Sequence, residues 1–251
     1  MNLIEGVTLT KLLQIVSLAI IFLAFFGLSM AGGNQSVSPK PFKVANVHFE
    51  QNATDGDVEV VFEVKGDDEG LANLKVISPD GRTVIDFTAA DASTLGIRQF
   101  RFETPEPRDV DSLISAYPEG RYTFSGTTSS GVKLKDKASL RHTLPAVTAF
   151  LQPRTAAKGI GIKDLEITWT PVKNLAAYII YIEQNELNVN LSAKLPNSTT
   201  SFKVPNNFLV PNTEYQLGLG TVMEGGNISF IETTFTTSEV GSGVRSEILD
   251  P

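Results

Sequence analysis

The chain contains no cysteine, and this absence excludes several kinds of chemistry at once. Without a thiol, its 251 residues cannot form a disulfide, a Cys-ligated zinc site, an iron–sulfur cluster or a thiol nucleophile. Attachment of a lipid through an N-terminal Cys is excluded for the same reason. The absence does not argue against export, because two-sheet domains of about 100 residues can be stable on their apolar cores alone.

Histidine is almost as scarce, since only His48 and His142 occur, each on an apparent strand of the first half. A two-histidine metal site or a histidine base is one alternative, and ordinary surface or edge histidines are the favoured one. The chain has no His-Glu-x-x-His motif, no serine in a Gly-x-Ser-x-Gly elbow and no glycine run typical of a phosphate site. We therefore expect a non-catalytic protein without a cofactor.

Positive charge is also in short supply. Lys and Arg number 21 against 28 Asp and Glu, so the formal net charge is -7. A nucleic-acid partner requires clustered Lys and Arg, and this composition disfavours one. A protein or cell-surface partner is the expected alternative.

The longest apolar run lies near the start, at residues 12–28, and it predicts the compartment. Lys11 precedes the run, and Ser29-Met-Ala31 supplies the small residues of a cleavage site. This pattern is typical of a secretory signal peptide, here residues 1–31. An uncleaved membrane anchor is the alternative, although about 17 residues is near the lower limit for a spanning helix. In both cases the remainder is expected outside the cytoplasm, in the periplasm or secreted.

After a linker at residues 32–40, the sequence predicts an all-β protein of two tandem β-sandwich domains. Short alternating runs separated by turn residues are typical of such sandwiches. The first domain is assigned to residues 41–147 and the second to residues 148–238, with a flexible tail at 239–251. An internal duplication is an open alternative, although the two halves show no convincing similarity in sequence.

Individual strands of the first domain are predicted from alternation and turn signals. Val58, Val60, Phe62 and Val64 fall on one face of a half-buried strand. A hairpin is expected around the turn at residues 78–81. A single helical turn is expected within residues 109–116, and a last strand at residues 137–144.

The second domain is organised around Trp169 and the motif Leu-x-Pro-x-Thr-x-Tyr at residues 209–215. Tyr215 is expected to bury its ring at the start of a strand and to bond a backbone group a few residues upstream, as in a tyrosine corner. Trp169 is expected to pack between the two sheets. Tyr178, Ile180 and Ile182 are predicted to share one face of a strand, with Ile179 and Tyr181 on the other.

Trp169-x-Pro171, the strand around Tyr178, the motif ending at Tyr215, the Gly225-Gly226 turn and the final residues 235–237 together resemble a fibronectin type III domain. The resemblance covers about 90 residues and implies a seven-strand sandwich without disulfides. It implies no particular function, because such modules serve as binders, adhesins and spacers. The first domain loosely resembles bacterial immunoglobulin-like modules through the Pro-x-Gly-x-Tyr pattern at residues 118–122.

Two loops of the second domain form the expected binding surface, since they should lie at the same end of the sandwich. The candidate residues are Lys173, Asn174, Leu175, Met223, Glu224 and Asn227. Turns that merely reverse the chain are the alternative. A calcium site is a weaker hypothesis, and it would need two acidic loops to meet. Its candidate ligands are Asp55, Asp57, Asp67, Asp68 and Glu69.

The sequence therefore predicts a secreted or periplasmic, non-catalytic protein that serves in binding or spacing. A membrane-anchored accessory subunit of an envelope complex is the second hypothesis. A carbohydrate-active enzyme or its binding module is the third, and it requires exposed aromatic residues or a cleft of carboxylates.

Overall fold

The computed structural model describes residues 38–89, 95–106 and 109–239. The predicted signal peptide at 1–31, most of the predicted linker at 32–40 and all but the first residue of the predicted tail at 239–251 lie outside these ranges. The described residues are almost entirely β-structure, which confirms the all-β prediction. No helix within them has the length and apolar character needed to cross a membrane.

The first half contains seven strands and one short helix. The strands are β1 (Val44–Asn52), β2 (Asp57–Lys65), β3 (Leu71–Ile77), β4 (Thr83–Thr88), β5 (Gln99–Glu103), β6 (Gly120–Thr128) and β7 (Lys133–Leu140). They form two layers, β1-β2-β5 and β4-β3-β6-β7. The alternating side chains of β2 face the core between these layers, together with Leu74, Tyr122 and Phe124.

Helix α1 (Val110–Ala116) begins where the sequence predicts a helical turn. The Asp109 side chain accepts a hydrogen bond from the Asp111 backbone N–H, which is a standard N-cap. Leu113 is the buried residue of the helix, and it joins the core of the first half. The helix therefore closes one side of that core between β5 and β6.

The second half contains eight strands. They are β8 (Phe150–Gln152), β9 (Ala157–Ile160), β10 (Glu166–Trp169), β11 (Ala177–Gln184), β12 (Val189–Pro196), β13 (Ser201–Lys203), β14 (Glu214–Val222) and β15 (Ile228–Thr237). The layers are β13-β10-β8 and β12-β11-β14-β15, with β9 paired to the end of β15. As predicted, Trp169 lies between the layers and is 1% exposed.

The tyrosine corner is also confirmed. Tyr215 is fully buried in β14, and its hydroxyl oxygen accepts a hydrogen bond of 2.9 Å from the Val210 backbone N–H. This bond ties the turn before β14 to the strand itself.

The two halves share one connectivity, although their sequences show little similarity. In each half, strands one, two and five form one layer, and strands four, three, six and seven form the other, once β9 is set aside. Tyr122 on β6 occupies a position comparable to that of Tyr215 on β14, near the start of the sixth strand, and it donates to the Pro118 carbonyl at 3.1 Å. Connectivity thus repeats more clearly than sequence does.

A single sheet runs through both halves. The last strand, β15, pairs in parallel with the first, β1, through Glu50–Ile228, Gln51–Ser229 and Asn52–Phe230. This pairing joins the layers in the order β12-β11-β14-β15-β1-β2-β5. We call this path the long sheet and the β1–β15 contact the seam.

The long sheet has one covered and one uncovered face. Paired residues point to the same side of a sheet, so the register across the seam places Glu50 and Asn52 on the same side as Ile228 and Phe230. The two large cores lie on the opposite side, where the two smaller layers pack. We call the other side the outer face, and it carries a small buried cluster of its own, formed by Ala177, Val222 and Ile228. Among the described residues, no strand or helix packs across it.

One strand prediction differs from the structure. The last strand of the first half is β7 at 133–140, whereas residues 137–144 were predicted, because residues 141–146 instead supply carbonyl groups to side chains of the second half.

Candidate interaction face

The outer face carries most of the excess negative charge of the chain. The strand register assigns to it the carboxylates of Glu50, Asp57, Glu59, Glu63, Glu103, Glu183, Glu214 and Glu232. It assigns only Lys65, Arg101 and Lys194 as cations. Eight carboxylates against three cations leave five of the seven excess negative charges of the chain on one side of one sheet.

Arg101 is the cation at the centre of this charge pattern. Its guanidinium lies 3.2 Å from Glu50 Oε2 and 3.6 Å from Glu63 Oε1, and it also bonds the Glu103 carboxylate. Burial opposes the ionisation of Glu50, but hydrogen bonds from His48 and Arg101 and their charges outweigh it and hold the pKa of Glu50 below its ordinary value. One arginine thus serves three carboxylates on three neighbouring strands.

Glu59 is one of the carboxylates without a cationic partner in this network. Among the described residues, no Lys or Arg lies within ion-pair distance of it. Partial burial raises the pKa of Glu59 to about 7, and the nearby charges of Glu50 and Glu103 add to the effect. At neutral pH this position therefore holds a carboxylate that is costly to ionise.

An acidic pocket of about 210 Å³ opens at the seam, beside Glu59. Tyr181 and Phe230 form its aromatic side, with ring centroids 6.0 Å apart, and the Tyr181 hydroxyl donates to the Glu232 carboxylate. Asn52 donates to Glu232 at 2.9 Å from across the seam. The lining residues are Glu50, Asn52, Asp57, Glu59, Glu106, Tyr181, Phe230 and Glu232.

Glycines on β14 allow the rings of Tyr181 and Phe230 to lie close against the sheet. A Cβ on Gly218 would stand 2.0 Å from a ring carbon of Tyr181, and one on Gly220 would stand 2.6 Å from a ring carbon of Phe230. Only glycine fits under the two rings. The rings therefore lie against β14, and both also line the pocket.

The sequence favoured a position at the surface or at a sheet edge for His48. That prediction is wrong, because His48 is only 2% exposed. It sits on the outer face of β1, which is an inner strand of the long sheet because β15 and β2 pair on either side of it. Its Nδ1 lies 3.3 Å from Asn46 Nδ2 and its Nε2 lies 3.2 Å from Glu50 Oε2. With Asn46 donating, Nε2–H donates to Glu50, so both ring nitrogens are used within the fold.

His142 is half-buried on the covered side. Its Nε2 lies 2.8 Å from the Tyr117 carbonyl oxygen, and its ring packs against Phe49 at 5.0 Å. The two histidines thus lie on opposite sides of the long sheet and cannot share a metal ion.

Asn227 belongs to the seam, although it was predicted as a binding-loop residue. It is 4% exposed. Its Oδ1 accepts from the Phe49 backbone N–H at 2.9 Å, and its Nδ2 donates to the carbonyls of Arg141 and Thr143 at 2.6 and 2.8 Å. A single amide therefore bonds to β1 and to residues 141–146, which connect the two halves and which we call the connector. The Asn227 side chain is not available to a partner.

Two further side chains of the second half bond to the same connector. Ser229 donates to the Pro145 carbonyl and Thr221 to the Ala146 carbonyl, each at 2.9 Å. Both residues are buried. Together with Asn227 they attach residues 141–146 to the covered side of the seam.

The other predicted loop residues lie at one end of the second sandwich, as the sequence suggested. Ala176 N–H bonds the Val222 carbonyl at 2.8 Å, which brings the two loops together. Lys173, Asn174 and Glu224 are exposed there and Met223 is half-buried. Leu175 is 6% exposed and packs in the core, so it offers nothing to a partner.

The calcium hypothesis fails on geometry. Asp55 and Asp57 lie before or at the start of β2, whereas Asp67, Asp68 and Glu69 follow its end. A nine-residue strand separates these groups by about 26 Å, and one cation cannot bridge that distance. Lys43 already contacts Asp67 and Asp68 at 3.2 and 2.8 Å, and Glu69 accepts from the Ser130 hydroxyl.

No family model matches the chain, and neither does any curated protein. Among solved structures, the chain is similar to the fibronectin(III)-like modules of Clostridium thermocellum CbhA, with 10% identity over 78% of this chain and 92% of that one and a TM-score of 0.33. It is also similar to the FN1–FN3 domains of chicken CNTN1, with 13% identity, 80% and 70% coverage and a TM-score of 0.29. The third is a segment of two fibronectin type III domains from chicken tenascin, with 15% identity, 79% and 99% coverage and a TM-score of 0.30.

The fibronectin type III-like fold indicated by the sequence is confirmed. It is carried by features of the chain itself, namely a three-stranded layer facing a four-stranded one, Trp169 between them and the tyrosine corner at Tyr215. At TM-scores of about 0.3 the solved structures add nothing on function. Function must therefore be argued from the outer face.

Of the residues that line the acidic pocket, only Asp57 was proposed as a site residue from the sequence, and that as a calcium candidate. Tyr181 was predicted on the face of its strand opposite Tyr178, but nothing placed that strand in one sheet with β2. The signal that was available is the unusual content of β2, where acidic residues at 57, 59 and 63 alternate with a fully apolar face.

Proposed function

We propose that this chain is a non-catalytic binding protein of the cell envelope or exterior, in which the long sheet holds two sandwiches as one unit and offers its outer face to a protein partner. The observation that carries the proposal is the continuous outer face, which runs across both halves and is covered by no other described element. A sheet face that concentrates charge of one sign offers electrostatic complementarity to a partner of the opposite sign.

The arrangement of the seam supports the binding role over a simple spacer role. The two halves are held together at the seam by three residue pairs of β1 and β15. They are also joined by the hydrogen bonds of Asn227, Ser229 and Thr221. A spacer needs only length, whereas a shared sheet aligns side chains from both halves on one side. The pocket draws its lining from both β2 and β11, so it exists only because of that alignment.

Export is the second part of the proposal, and it rests on the apolar run at residues 12–28 and the small residues that follow it. Intact mass and fractionation of the natively expressed protein test it. A chain starting at Gly32 in the soluble extracytoplasmic fraction is the expected result. A full-length chain in the membrane fraction would instead support an anchored accessory subunit.

The binding proposal is tested by site-specific photo-crosslinking in the native host. A photoreactive residue replaces Glu103 on the outer face. In a matched control it replaces Lys75 on β3, which lies in the layer β4-β3-β6-β7. We expect a discrete crosslinked partner from position 103 and none from position 75. Crosslinks from position 75 alone would assign binding to the other side, and none from either position would contradict a binding role.

A carbohydrate ligand is a second candidate, and the pocket supplies the observation that favours it. Tyr181 and Phe230 lie beside the Asn52 amide and several carboxylates, and a sugar ring can use both an apolar surface and hydrogen bonds. Calorimetric titration with oligosaccharides tests this alternative. Saturable heat that disappears in Tyr181→Ala would support it.

A further inference from the structure

We infer that the outer face docks a basic, arginine-bearing segment of the partner, with one guanidinium entering the acidic pocket at the seam. This inference rests on the proposed function and specifies the partner's chemistry. The docking surface is the sheet face itself, uncovered by any other described element and extending from β12 to β5. Charge complementarity identifies its occupant.

The charge of the outer face is the first argument. Five of the seven excess negative charges of the chain lie there, and Arg101 already contacts the carboxylates of Glu50, Glu63 and Glu103. For Asp57, Glu59, Glu106 and Glu232, no Lys or Arg among the described residues lies within ion-pair distance. A cationic partner would supply the charge that the sheet lacks, and it would be attracted from a distance at low salt.

The shape and the lining of the pocket are the second argument. A volume of about 210 Å³ accommodates the end of one long side chain rather than a folded element. A guanidinium bonds carboxylates through a planar set of donors and also stacks on aromatic rings. Tyr181 and Phe230 provide the rings and Glu59 and Glu106 the carboxylates within one pocket.

The cost of leaving the pocket empty is the third argument. Burial and neighbouring charges raise the pKa of Glu59 to about 7, and desolvation followed by nearby acidic groups raises the pKa of Glu106 as well. A bound cation would lower both pKa values and so would relieve a penalty already present in the fold. Docking should therefore release protons near neutral pH, and it should be stronger at pH 8 than at pH 6.

The experiment uses the full chain and a fluorescent nine-residue peptide of alternating arginine and glycine, followed by anisotropy in 50 mM salt. The same peptide with citrulline in place of arginine keeps the shape and removes the charge. We expect saturable binding of the arginine peptide, at least tenfold weaker binding of the citrulline peptide, and at least tenfold loss between 50 and 500 mM salt.

Matched variants distinguish a site from general attraction. The double variant Glu59→Gln, Glu106→Gln removes two charges from the pocket, and Asp67→Asn, Asp68→Asn removes two from an exposed loop beyond the far end of β2. We expect a five- to tenfold loss of affinity from the first and less than twofold from the second. Thermal unfolding of both variants confirms that each is folded.

Three results would overturn the inference. Equal losses in both double variants would mean long-range attraction without a site, and unchanged affinity in the pocket variant would exclude the pocket. Saturable binding of an oligosaccharide with none of the arginine peptide would favour the carbohydrate candidate. If the peptide fails while position 103 still crosslinks a partner, the binding role stands and only the partner's chemistry is wrong.

Discussion

Tyr122 and Tyr215 occupy comparable positions in the two sandwiches but use their hydroxyl groups in opposite senses. Tyr122 donates to the Pro118 carbonyl, whereas Tyr215 accepts from the Val210 N–H. Carbonyl oxygens have two lone pairs and tolerate a lost partner better than a buried N–H does. The same chemical change should therefore cost more at one corner than at the other.

Replacing Tyr215 with Phe should lower the free energy of unfolding by about 1–3 kcal/mol, because the Val210 N–H loses its partner. Replacing Tyr122 with Phe should cost less, since only a carbonyl is released. Urea unfolding of the two variants and the parent measures the difference. A larger loss in Tyr122→Phe would show that donor and acceptor roles do not decide the cost.

Glu59 makes a prediction about pH. Its pKa of about 7 in the folded protein lies above the ordinary value of 4.5, so ionisation lowers stability as the pH rises between these values. Glu59→Gln should raise the free energy of unfolding at pH 8 by about 1–2 kcal/mol after allowance for solvent screening, and by much less at pH 5.

Glu183→Gln is the control for this prediction, since Glu183 also lies on the outer face, in strand β11. It should change stability little at either pH. Denaturant unfolding at pH 5 and pH 8 gives the free energy of unfolding of both variants at both pH values. A gain from Glu59→Gln that is equal at both pH values would contradict the role of its raised pKa.

At the scale of elements, β14 depends on its two outer-face glycines. A Cβ on Gly218 would overlap the Tyr181 ring, so Gly218→Ala must displace that ring from the sheet. We expect a loss of about 1–3 kcal/mol and a weaker Tyr181–Glu232 contact.

Gly161→Ala is the matched control, because nothing lies within 4 Å of a Cβ built there. Thermal unfolding and near-ultraviolet circular dichroism follow stability and the tyrosine environment. Unchanged spectra in Gly218→Ala would mean that the ring does not need the glycine.

The apolar face of β2 and the motif before Tyr215 predicted both their elements and their buried sides. Strand β12 was not predicted, although residues 189–195 alternate strictly between apolar and polar side chains. The alternation of β12 was therefore a signal that the sequence offered and that was not used.

The seam could not be predicted at all. Pairing between β1 and β15 joins residues about 180 positions apart in parallel, and no local pattern encodes such a contact. The side of β2 that carries Glu59 was predictable from the apolar alternation of that strand, but the proximity of Glu59 to Tyr181 depends on the seam. The fold of each half was thus accessible from sequence, whereas the candidate site was not.

At the scale of the whole molecule, Asn227 decides whether the halves unfold together. Its amide makes three hydrogen bonds, one to β1 and two to the connector at residues 141–146. Asn227→Ala should therefore cost about 2–4 kcal/mol and should separate one cooperative transition into two. Calorimetry of the full chain measures both effects.

Glu224→Ala changes an exposed residue of the same loop and is the control. It should leave a single transition at the parent temperature. If Asn227→Ala also unfolds in one step, the β1–β15 ladder alone is enough to couple the halves.

The parallel seam also determines how the molecule responds to tension. Strand β1 follows the start of the described chain and β15 lies next to its end, so pulling at residues 38 and 239 draws β1 toward its first residue and β15 toward its last. Because the two strands run in the same direction, this pull loads their hydrogen bonds along the strands and all at once. Bonds loaded in this way must break together rather than open one by one. The seam is therefore a mechanical clamp, and a protein held at both ends should keep its acidic pocket intact under load until the clamp ruptures in a single step.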